Sequence, residues 1–397
     1  MENRKFLNKC KKSINFCLLL VLSAIICSSC KKTVKIAFCD LPQEISSSVE
    51  EVVSKNSNVK YKISNISKEE FVSKNVKKIA KKNDILFAND GKIAELIEEY
   101  AKDIPENIYL NVPDRIAGDK SKKLPILLDH YGIGYCDSVR RSLNLMYPAD
   151  YDGLVEYLNE VKNVTDYPIF VAGGENKELL ALLTALCESI GGKEGYDSFI
   201  AVCENYLEDA ENTNFNRLLT QKIYENYYFD DILKIVIDWE NEGFLAKNWL
   251  NLKNIDFKAY SRDYDIGCAF LSLSQFHSLD YKIAQNYSCD RFPVQNFYVE
   301  HGIISPQIVC FGMNDKKIVN EILNDLVSAE SQKELSAKTM LAPAGKNGTA
   351  YDRAADDVRF LASSCYYGSL PDCDNELLCY NEEVINRFIE EIRRAIQ

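Results

Sequence analysis

The sequence predicts an α/β protein in which parallel sheets carry helices on both faces. Short runs rich in β-branched residues alternate with longer amphipathic runs, which is the pattern of strand–helix–strand units. Small or polar residues end several of the short runs, as they do where strands turn into helices. The chain has 397 residues, of which 46% are hydrophobic and 27% charged, and this length suits two lobes better than one.

The first part of the chain alternates regularly between the two element types. Ser67 and Glu70 form the capping pattern that starts a helix, and Asn89-Asp90-Gly91 ends a short apolar run. The predicted strands are 33–40, 59–63, 84–88 and 107–111, and the predicted helices are 43–55, 68–82 and 92–101.

The later part repeats this style with more helix. Gly191-Gly192 is expected to stop an apolar helix, and helices then dominate from about 203 to 240. Gly302 and Pro306 mark two candidate crossings between lobes. The predicted strands are 168–172 and 264–273, and the predicted helices are 149–162, 178–190, 316–329, 331–338 and 382–396.

The N-terminal segment has the pattern of an export signal. Five basic residues and one acidic residue give residues 1–29 a net charge of +4, and an apolar run of about a dozen residues follows the basic part, too short to span a membrane comfortably. Ser28-Ser29-Cys30 resembles a lipobox, so we expect residues 1–29 to be removed and Cys30 to be acylated. The alternatives are a plain signal peptide and an uncleaved anchor.

Charge and composition exclude several classes of function. The net charge of −12 argues against a nucleic-acid binder, which needs a basic face. Ten cysteines remain after Cys30, and we expect most to be buried thiols, with Cys373 and Cys379 as one possible bridge. The three histidines have no ligand spacing with a cysteine, so no metal site or cofactor is predicted. The usual catalytic motifs are missing as well, and we predict that the protein is not an enzyme.

Five segments in the same order resemble extracellular solute-binding proteins of ABC importers, most nearly the sugar- and maltodextrin-binding group. Each has that family's mixture of strand, turn and helix. In residues 267–278 of this sequence, Ser274-Gln275-Phe276 stands where the family often has Gly-Pro-Trp. The five segments are 84–99, 125–160, 168–192, 267–278 and 316–345.

The resemblance implies a two-lobed periplasmic-binding-protein-like fold. Each lobe would hold a mostly parallel sheet flanked by helices, joined by a hinge of two or three crossing segments. The first lobe would comprise 30–130 and 303–345, and the second 131–302 and 346–397. The implied function is capture of a small polar solute, a sugar or oligosaccharide above all, by a monomer tethered to the outer face of a bacterial membrane. The implied partners are an ABC permease and its ATPase.

Candidate ligand residues come from strand ends, crossings and aromatic positions. Strand ends carry Asp40, Asn89, Asp90, Gly173 and Gly174, because binding sites in open parallel sheets form at the carboxyl ends of strands. The segment Asp129-His130-Tyr131 and the residue His301 lie near crossings, and Tyr131 and His301 are the candidates chosen there. For all of these the alternative is a helix cap, a turn or core packing. The aromatic and neighbouring candidates are Trp239 and, from the resemblance, Gln275, Phe276 and Tyr380.

Two other functions stay open at this stage. Tyr227-Tyr228 and Tyr366-Tyr367 could bind ferric iron, which prefers hard oxygen ligands, although Tyr227-Tyr228 fits a helix face. A surface adhesin or structural lipoprotein with a degenerate binding fold is the other alternative, since a fold alone does not fix a function.

Overall fold

The structure is a computed structural model that describes most of the chain after the N-terminal segment. Among the residues that the structure describes, no helix combines the length and the apolar composition of a membrane span. Cys30 and residues 1–29, which carry the predicted signal and lipidation site, lie outside the described residues. The described ranges are 32–55, 59–73, 75–117, 122–209, 214–263, 266–366 and 368–397.

In the described part of the chain, fourteen strands form two main sheets and two small ones. The first sheet has the order β13-β4-β12-β3-β1-β2, and the second has the order β10-β5-β9-β6. In the first sheet β12 and β13 run opposite to the other four strands, and in the second β5 runs opposite to the other three. The strands are β1 (Lys32–Cys39), β2 (Val59–Ile66), β3 (Ile85–Asn89), β4 (Leu124–Leu128), β5 (Tyr131–Cys136), β6 (Tyr167–Phe170), β7 (Lys222–Tyr224), β8 (Tyr227–Tyr228), β9 (Ile266–Ser272), β10 (Tyr287–Arg291), β11 (Ile303–Ile304), β12 (Gln307–Gly312), β13 (Ala342–Pro343) and β14 (Ser369–Leu370).

Helices cover the sheets and bury their apolar faces in separate cores. Two buried clusters cover the two faces of the first sheet, and one large cluster surrounds the second. The helices are α1 (Gln43–Ser54), α2 (Lys68–Ser73), α3 (Val76–Lys82), α4 (Lys92–Glu98), α5 (Glu106–Tyr109), α6 (Asp114–Ala117), α7 (Asp137–Ser142), α8 (Tyr151–Val161), α9 (Asn176–Glu208), α10 (Phe215–Leu219), α11 (Phe229–Asn241), α12 (Asn254–Tyr260), α13 (Leu273–His277), α14 (Tyr281–Ala284), α15 (Lys317–Leu326), α16 (Ala329–Thr339), α17 (Arg353–Ser364), α18 (Cys373–Leu377) and α19 (Glu382–Ile396).

Two sequence-based assignments are wrong. The predicted strand 107–111 is the helical turn α5, because Ile108 and Val112 are both buried and their four-residue spacing suits a helix. The predicted stop at Gly191-Gly192 is confirmed, because Gly192 has a non-helical φ of 57° and ψ of −144° and a second helical segment follows it within α9. The tyrosine-rich segment expected to be a helix face is the hairpin β7–β8, which turns at Glu225 with φ of 43°.

Short segments join the two sheets and define the hinge. Asp129 and His130 alone connect β4 of the first sheet to β5 of the second. The chain returns through β11 and enters β12 after Ser305 and Pro306, and β11 pairs in parallel with β14 on the last crossing. Backbone bonds from Asp129 to Pro306 and from Ser305 to Leu370 tie the three crossings together. The exact residues at which one lobe gives way to the other stay a prediction.

Candidate functional site

The carboxyl end of β1 presents Asp40 in a conformation that non-glycine residues rarely adopt. Its φ is 53°, and its amide donates to the carbonyl of Ile66 at 2.8 Å. Its carboxylate accepts a hydrogen bond from the Lys68 amide at 3.2 Å. Burial raises the pKa of Asp40, although that hydrogen bond partly opposes the effect. A strained carboxylate held at a sheet edge is a feature that recurs at binding sites.

The carboxyl end of β3 places Asp90 beside a buried lysine. Both carboxylate oxygens of Asp90 accept from Lys123 Nζ, at 2.8 and 2.9 Å, and the Asp90 amide donates to the Gln307 carbonyl. Burial alone would lower the pKa of Lys123, but the charge of Asp90 outweighs it and the pKa is raised. Asn89 precedes this pair and is half-buried at the end of the strand. The Asp90 carboxylate therefore already has a counter-ion.

In the second lobe, the first turn of α9 carries a lysine that faces the hinge. Lys177 Nζ lies 3.3 Å from Asp372 Oδ2 and 5.8 Å from the centre of the Tyr131 ring. The Lys177 side chain is 42% exposed, whereas that of Asp372 is almost fully buried. Burial opposes the charge of Lys177, but the carboxylates of Asp372, Asp129 and Asp374 outweigh it and raise its pKa.

Glu178, the next residue of α9, is a buried carboxyl group with one free oxygen. It is 2% exposed, and its Oε1 accepts from Tyr131 Oη at 3.4 Å, from Asn254 Nδ2 at 3.3 Å and from Gln275 Nε2. Its Oε2 has no hydrogen-bond partner among the described residues. Burial raises the pKa of Glu178 to about 7, and the nearby charge of Lys177 only partly offsets this.

The first crossing adds a carboxylate that faces α13. Asp129 accepts from the Ser274 amide at 3.0 Å and from Ser274 Oγ at 2.6 Å, and its own carbonyl accepts from Ser305 Oγ. The neighbouring His130 is buried, and burial lowers its pKa to about 4, so the ring is neutral at pH 7. One crossing therefore contributes both a carboxylate and a neutral imidazole.

The short helix α18 packs against elements of both lobes. The Asp372 carboxylate accepts from the Asn375 amide at 2.8 Å and begins the helix, while Lys177 of α9 lies beside it. On the other side, a Cβ added to Gly91 would lie 2.9 Å from the backbone of Asn375. Burial and then the charge of Asp372 raise the pKa of Asp374. The carboxylates of α18 thus lie where the first lobe, the second lobe and the hinge meet.

These residues define what we call the interlobe cleft cluster. Its members come from the strand ends, the first crossing, the start of α9, and α18. It brings together the sequence-predicted candidates Asp40, Asp90, Tyr131 and Gln275 with residues that sequence reasoning did not choose. The cluster consists of Asp40, Asp90, Lys123, Asp129, Tyr131, Lys177, Glu178, Asn254, Gln275, Asp372 and Asp374.

Three predicted ligand residues have packing roles instead. Trp239 is 2% exposed in the core of the second lobe, where its Nε1 donates to Tyr151 Oη at 3.0 Å. A Cβ on Gly173 would overlap the Trp249 ring, and one on Gly174 would lie 2.7 Å from the Leu252 carbonyl. The structure leaves no room for a side chain at either glycine, and it places the Trp239 ring among core residues. Ligand contact by these three residues stays a prediction.

The remaining predicted residues lie outside the cluster. His301 bridges the Glu188 carboxylate and the Asn296 carbonyl, and Tyr380 donates to Glu208 at the end of α9. Phe276 is buried against the Tyr287 ring and forms one wall of a cavity of about 360 Å³ between α13, α14 and α17. Ligand contact by these residues stays a prediction.

Sequence reasoning missed Lys177, Glu178, Asp372 and Asp374. The pair Lys177-Glu178 is separated from Gly173-Gly174 by two residues, and a charged pair at the start of an apolar helix was the available signal. The partner Asp372 lies 195 residues later in the chain (372 − 177), so the ion pair itself left no local pattern. Nothing in the sequence around 372–374 distinguishes these aspartates from ordinary helix caps.

Metal and disulfide chemistry have little structural support. The described residues contain no group of three or more His, Cys, Asp or Glu side chains arranged to hold a metal ion. Tyr227 accepts from Gln295 Nε2 and Tyr228 is largely exposed in the hairpin, while Tyr367 lies outside the described residues. The ten cysteines of the described part are all thiols, so Cys373 and Cys379 are not bridged.

Comparisons with known proteins find the fold but no sequence relative. No family model matches the chain, and no curated protein matches it by sequence. The bacterial solute receptor AcbH, described as having an exclusive preference for β-D-galactopyranose, has a TM-score of 0.70 and 13% identity over 93% of both chains. The apo form of RafE from Streptococcus pneumoniae has a TM-score of 0.61 and 13% identity, covering 92% of this chain and 96% of that one.

A third similar structure is the cyclic α-maltosyl-1,6-maltose binding protein of Arthrobacter globiformis. Its TM-score is 0.54 at 14% identity, over 92% of this chain and 93% of that chain. At such identities the likeness shows the fold alone. The predicted two-lobed α/β fold is thereby confirmed. The expectation of mostly parallel sheets is wrong, because both main sheets are mixed and most of their neighbouring strands pair antiparallel.

Proposed function

We propose that this protein is the substrate-binding component of an ABC transporter and captures a small polar solute between its two lobes. The observation that carries the proposal is the interlobe cleft cluster, in which polar side chains from both lobes and the hinge converge. Such placed polar groups fix the orientation of a bound ligand. The similarity in fold to AcbH and RafE supports this assignment.

The hinge gives the capture a physical basis. The connection between β4 and β5 consists of Asp129 and His130 alone, and the three crossings are tied to one another by backbone bonds. Most apolar contacts lie within clusters that surround one sheet or the other. Rotation about the crossings therefore disturbs few packed side chains, while a solute between the lobes loses contact with water on both sides.

A sugar or oligosaccharide is the solute class we propose. Carboxylate and amide oxygens such as those of Glu178 and Asn254 accept hydrogen bonds from hydroxyl groups. AcbH and the Arthrobacter protein are described as binding a galactopyranose and a maltosyl-maltose, which supports the class without naming the sugar. No catalytic step is proposed, since the solved structures that share the fold are binding proteins.

The export signal completes the proposal. Acylation of Cys30 would tether a monomer to the outer face of a bacterial membrane, where a permease and its ATPase receive the loaded form. Labelling expressing cells with a radioactive fatty acid tests the tether, and loss of label in Cys30→Ser with retained export would support it. Label that remains in Cys30→Ser would show that the modified residue lies elsewhere.

A thermal-shift screen of the purified protein tests the binding function. A ligand that binds only the folded form stabilises it by RT ln(1 + [L]/Kd), which is about 2.7 kcal/mol when the ligand is at 100 times Kd. We expect at least one member of a panel of mono- and oligosaccharides to raise the melting temperature. No shift with any sugar, amino compound or ferric salt would overturn the proposal and favour the adhesin alternative.

A further inference from the structure

The charge around Lys177 is unbalanced. The carboxylates of Asp372, Asp129, Asp374 and Glu178 all lie close enough to Lys177 to raise its pKa, and Asp372 forms an ion pair with it at 3.3 Å. One ammonium group therefore faces four carboxyl groups. In a partly buried site such an excess of negative charge is costly unless a cation is bound or a carboxyl group is protonated.

The imbalance continues toward the first lobe. The negative charge of Asp40 also raises the pKa of Asp374, and the charge of Lys68 from the first lobe opposes it. The other lysine nearby, Lys123, is already paired with both oxygens of Asp90. Lys177 and Lys68 therefore only partly neutralise the carboxylates that α18 brings into the cleft.

A separate observation shows what kind of group is missing. Glu178 Oε2 is buried and has no hydrogen-bond partner among the described residues, and the same holds for Oδ1 of the adjacent Asn254. When Glu178 is ionised, both atoms accept hydrogen bonds and neither donates. Buried polar atoms in proteins are normally satisfied, so the absent partner is a donor. Hydroxyl groups can donate there, but they bring no charge to the carboxylates.

We propose that the solute captured in this cleft carries a protonated amine, as an amino sugar does. An ammonium group offers three donors and no acceptor, which matches the orphaned oxygens of Glu178 and Asn254. Its positive charge also offsets the excess of carboxylates around Lys177. This inference rests on the proposed binding function and narrows its substrate class.

Calorimetric titrations of the purified protein at about pH 7 test the inference. Glucosamine, glucose and N-acetylglucosamine share a ring, and only the first carries a protonated amine, which stays mostly charged at this pH because such amines have pKa values near 8. A hydrogen bond to a charged group contributes about 1.5–3 kcal/mol, which is roughly a 10- to 100-fold change in affinity. We expect glucosamine to bind at least about 10-fold more tightly than the two neutral sugars.

Variants locate the effect in the cleft. Glu178→Gln and Asp374→Asn keep the shape of each side chain and remove its charge, so the preference for glucosamine is expected to fall by about 10-fold in each. Glu160→Gln, on the exposed surface of α8, is the matched control and is expected to leave the preference unchanged. A preference that survives both cleft variants would overturn the inference.

The outcomes separate this inference from the function on which it rests. Equal or tighter binding of a neutral sugar would overturn the inference while supporting the binding function. Spermidine, a flexible polyamine, is the comparison that separates the amine from the sugar ring. Binding of spermidine without binding of any sugar would support the ammonium and overturn the sugar class. Failure of every compound to bind would overturn both.

Discussion

Replacing the buried carboxyl of Glu178 by an amide is expected to stabilise the protein at alkaline pH. Burial raises the pKa of Glu178 from 4.5 to about 7, and each pKa unit corresponds to 1.36 kcal/mol. Keeping Glu178 ionised in the folded state therefore costs about 3 kcal/mol above pH 7. Below pH 4.5 the group is protonated in both states and the cost disappears. The free energy of unfolding of the wild type should therefore fall by about 3 kcal/mol as the pH rises from about 4.5 to 7.

The side chain in Glu178→Gln is neutral at every pH, so it escapes this cost. We expect the variant to be more stable than wild type by about 1–3 kcal/mol at about pH 8, with little difference at about pH 5. The lower end of this range allows for the cost of leaving the new glutamine amide without a full set of hydrogen bonds at the position of Glu178 Oε2. Urea unfolding followed by tryptophan fluorescence measures it, because Trp239 and Trp249 both lie in the core of the second lobe with Glu178.

Glu160→Gln on the surface of α8 controls for the loss of one negative charge. It should change stability by no more than about 0.5 kcal/mol at either pH. A stability difference for Glu178→Gln that is the same at both pH values, or a destabilised variant at the higher pH, would refute the reasoning.

The other predictions concern the hinge and the loop before α9. The two ring nitrogens of His301 face two acceptors, the Glu188 carboxylate and the Asn296 carbonyl. Burial disfavours the charged ring, but these hydrogen bonds outweigh burial and raise the pKa of His301. The charged ring therefore stabilises the fold fully below about pH 6.5, and this stabilisation is lost as the pH rises through the raised pKa. Urea unfolding of His301→Gln should therefore show a smaller pH dependence in that window, and an unchanged pH dependence would contradict the assignment. Gly173→Ala should lower the free energy of unfolding by about 1–3 kcal/mol, because the new Cβ would overlap the Trp249 ring. Gly134→Ala is the control and should cost less, because no atom would lie closer than 3.7 Å to its Cβ. Equal losses of stability in urea unfolding would contradict the packing role of Gly173.

Much of the fold could be predicted because its strands and helices are locally consistent. The strand expected at 33–40 is β1, and the terminal helix expected at 382–396 is α19 with the same bounds. The stop at Gly191-Gly192 could be predicted because glycine readily adopts the positive φ that Gly192 has. The two errors, at 107–111 and at the tyrosine-rich hairpin, concern short segments in which apolar and aromatic residues suit a strand or a helical turn equally well.

The candidate site could be predicted only in part. Asp40 and Asp90 follow strands, so the topology alone brings them to one sheet edge. Lys177 and Asp372 meet only because α18 folds back between the lobes, and no sequence pattern encodes that contact. The ring of Trp239 is held by Tyr151, 88 residues away, so its burial was equally invisible in the local sequence.

A crystal structure of the protein with the tightest-binding solute from the screen tests the central claim most directly. We expect the solute to lie between the lobes, with one hydrogen bond to Glu178 or Asn254 of the second lobe and another to Asp40 of the first lobe. A solute that contacts only one lobe, or that lies in the cavity beside Phe276, would contradict the account.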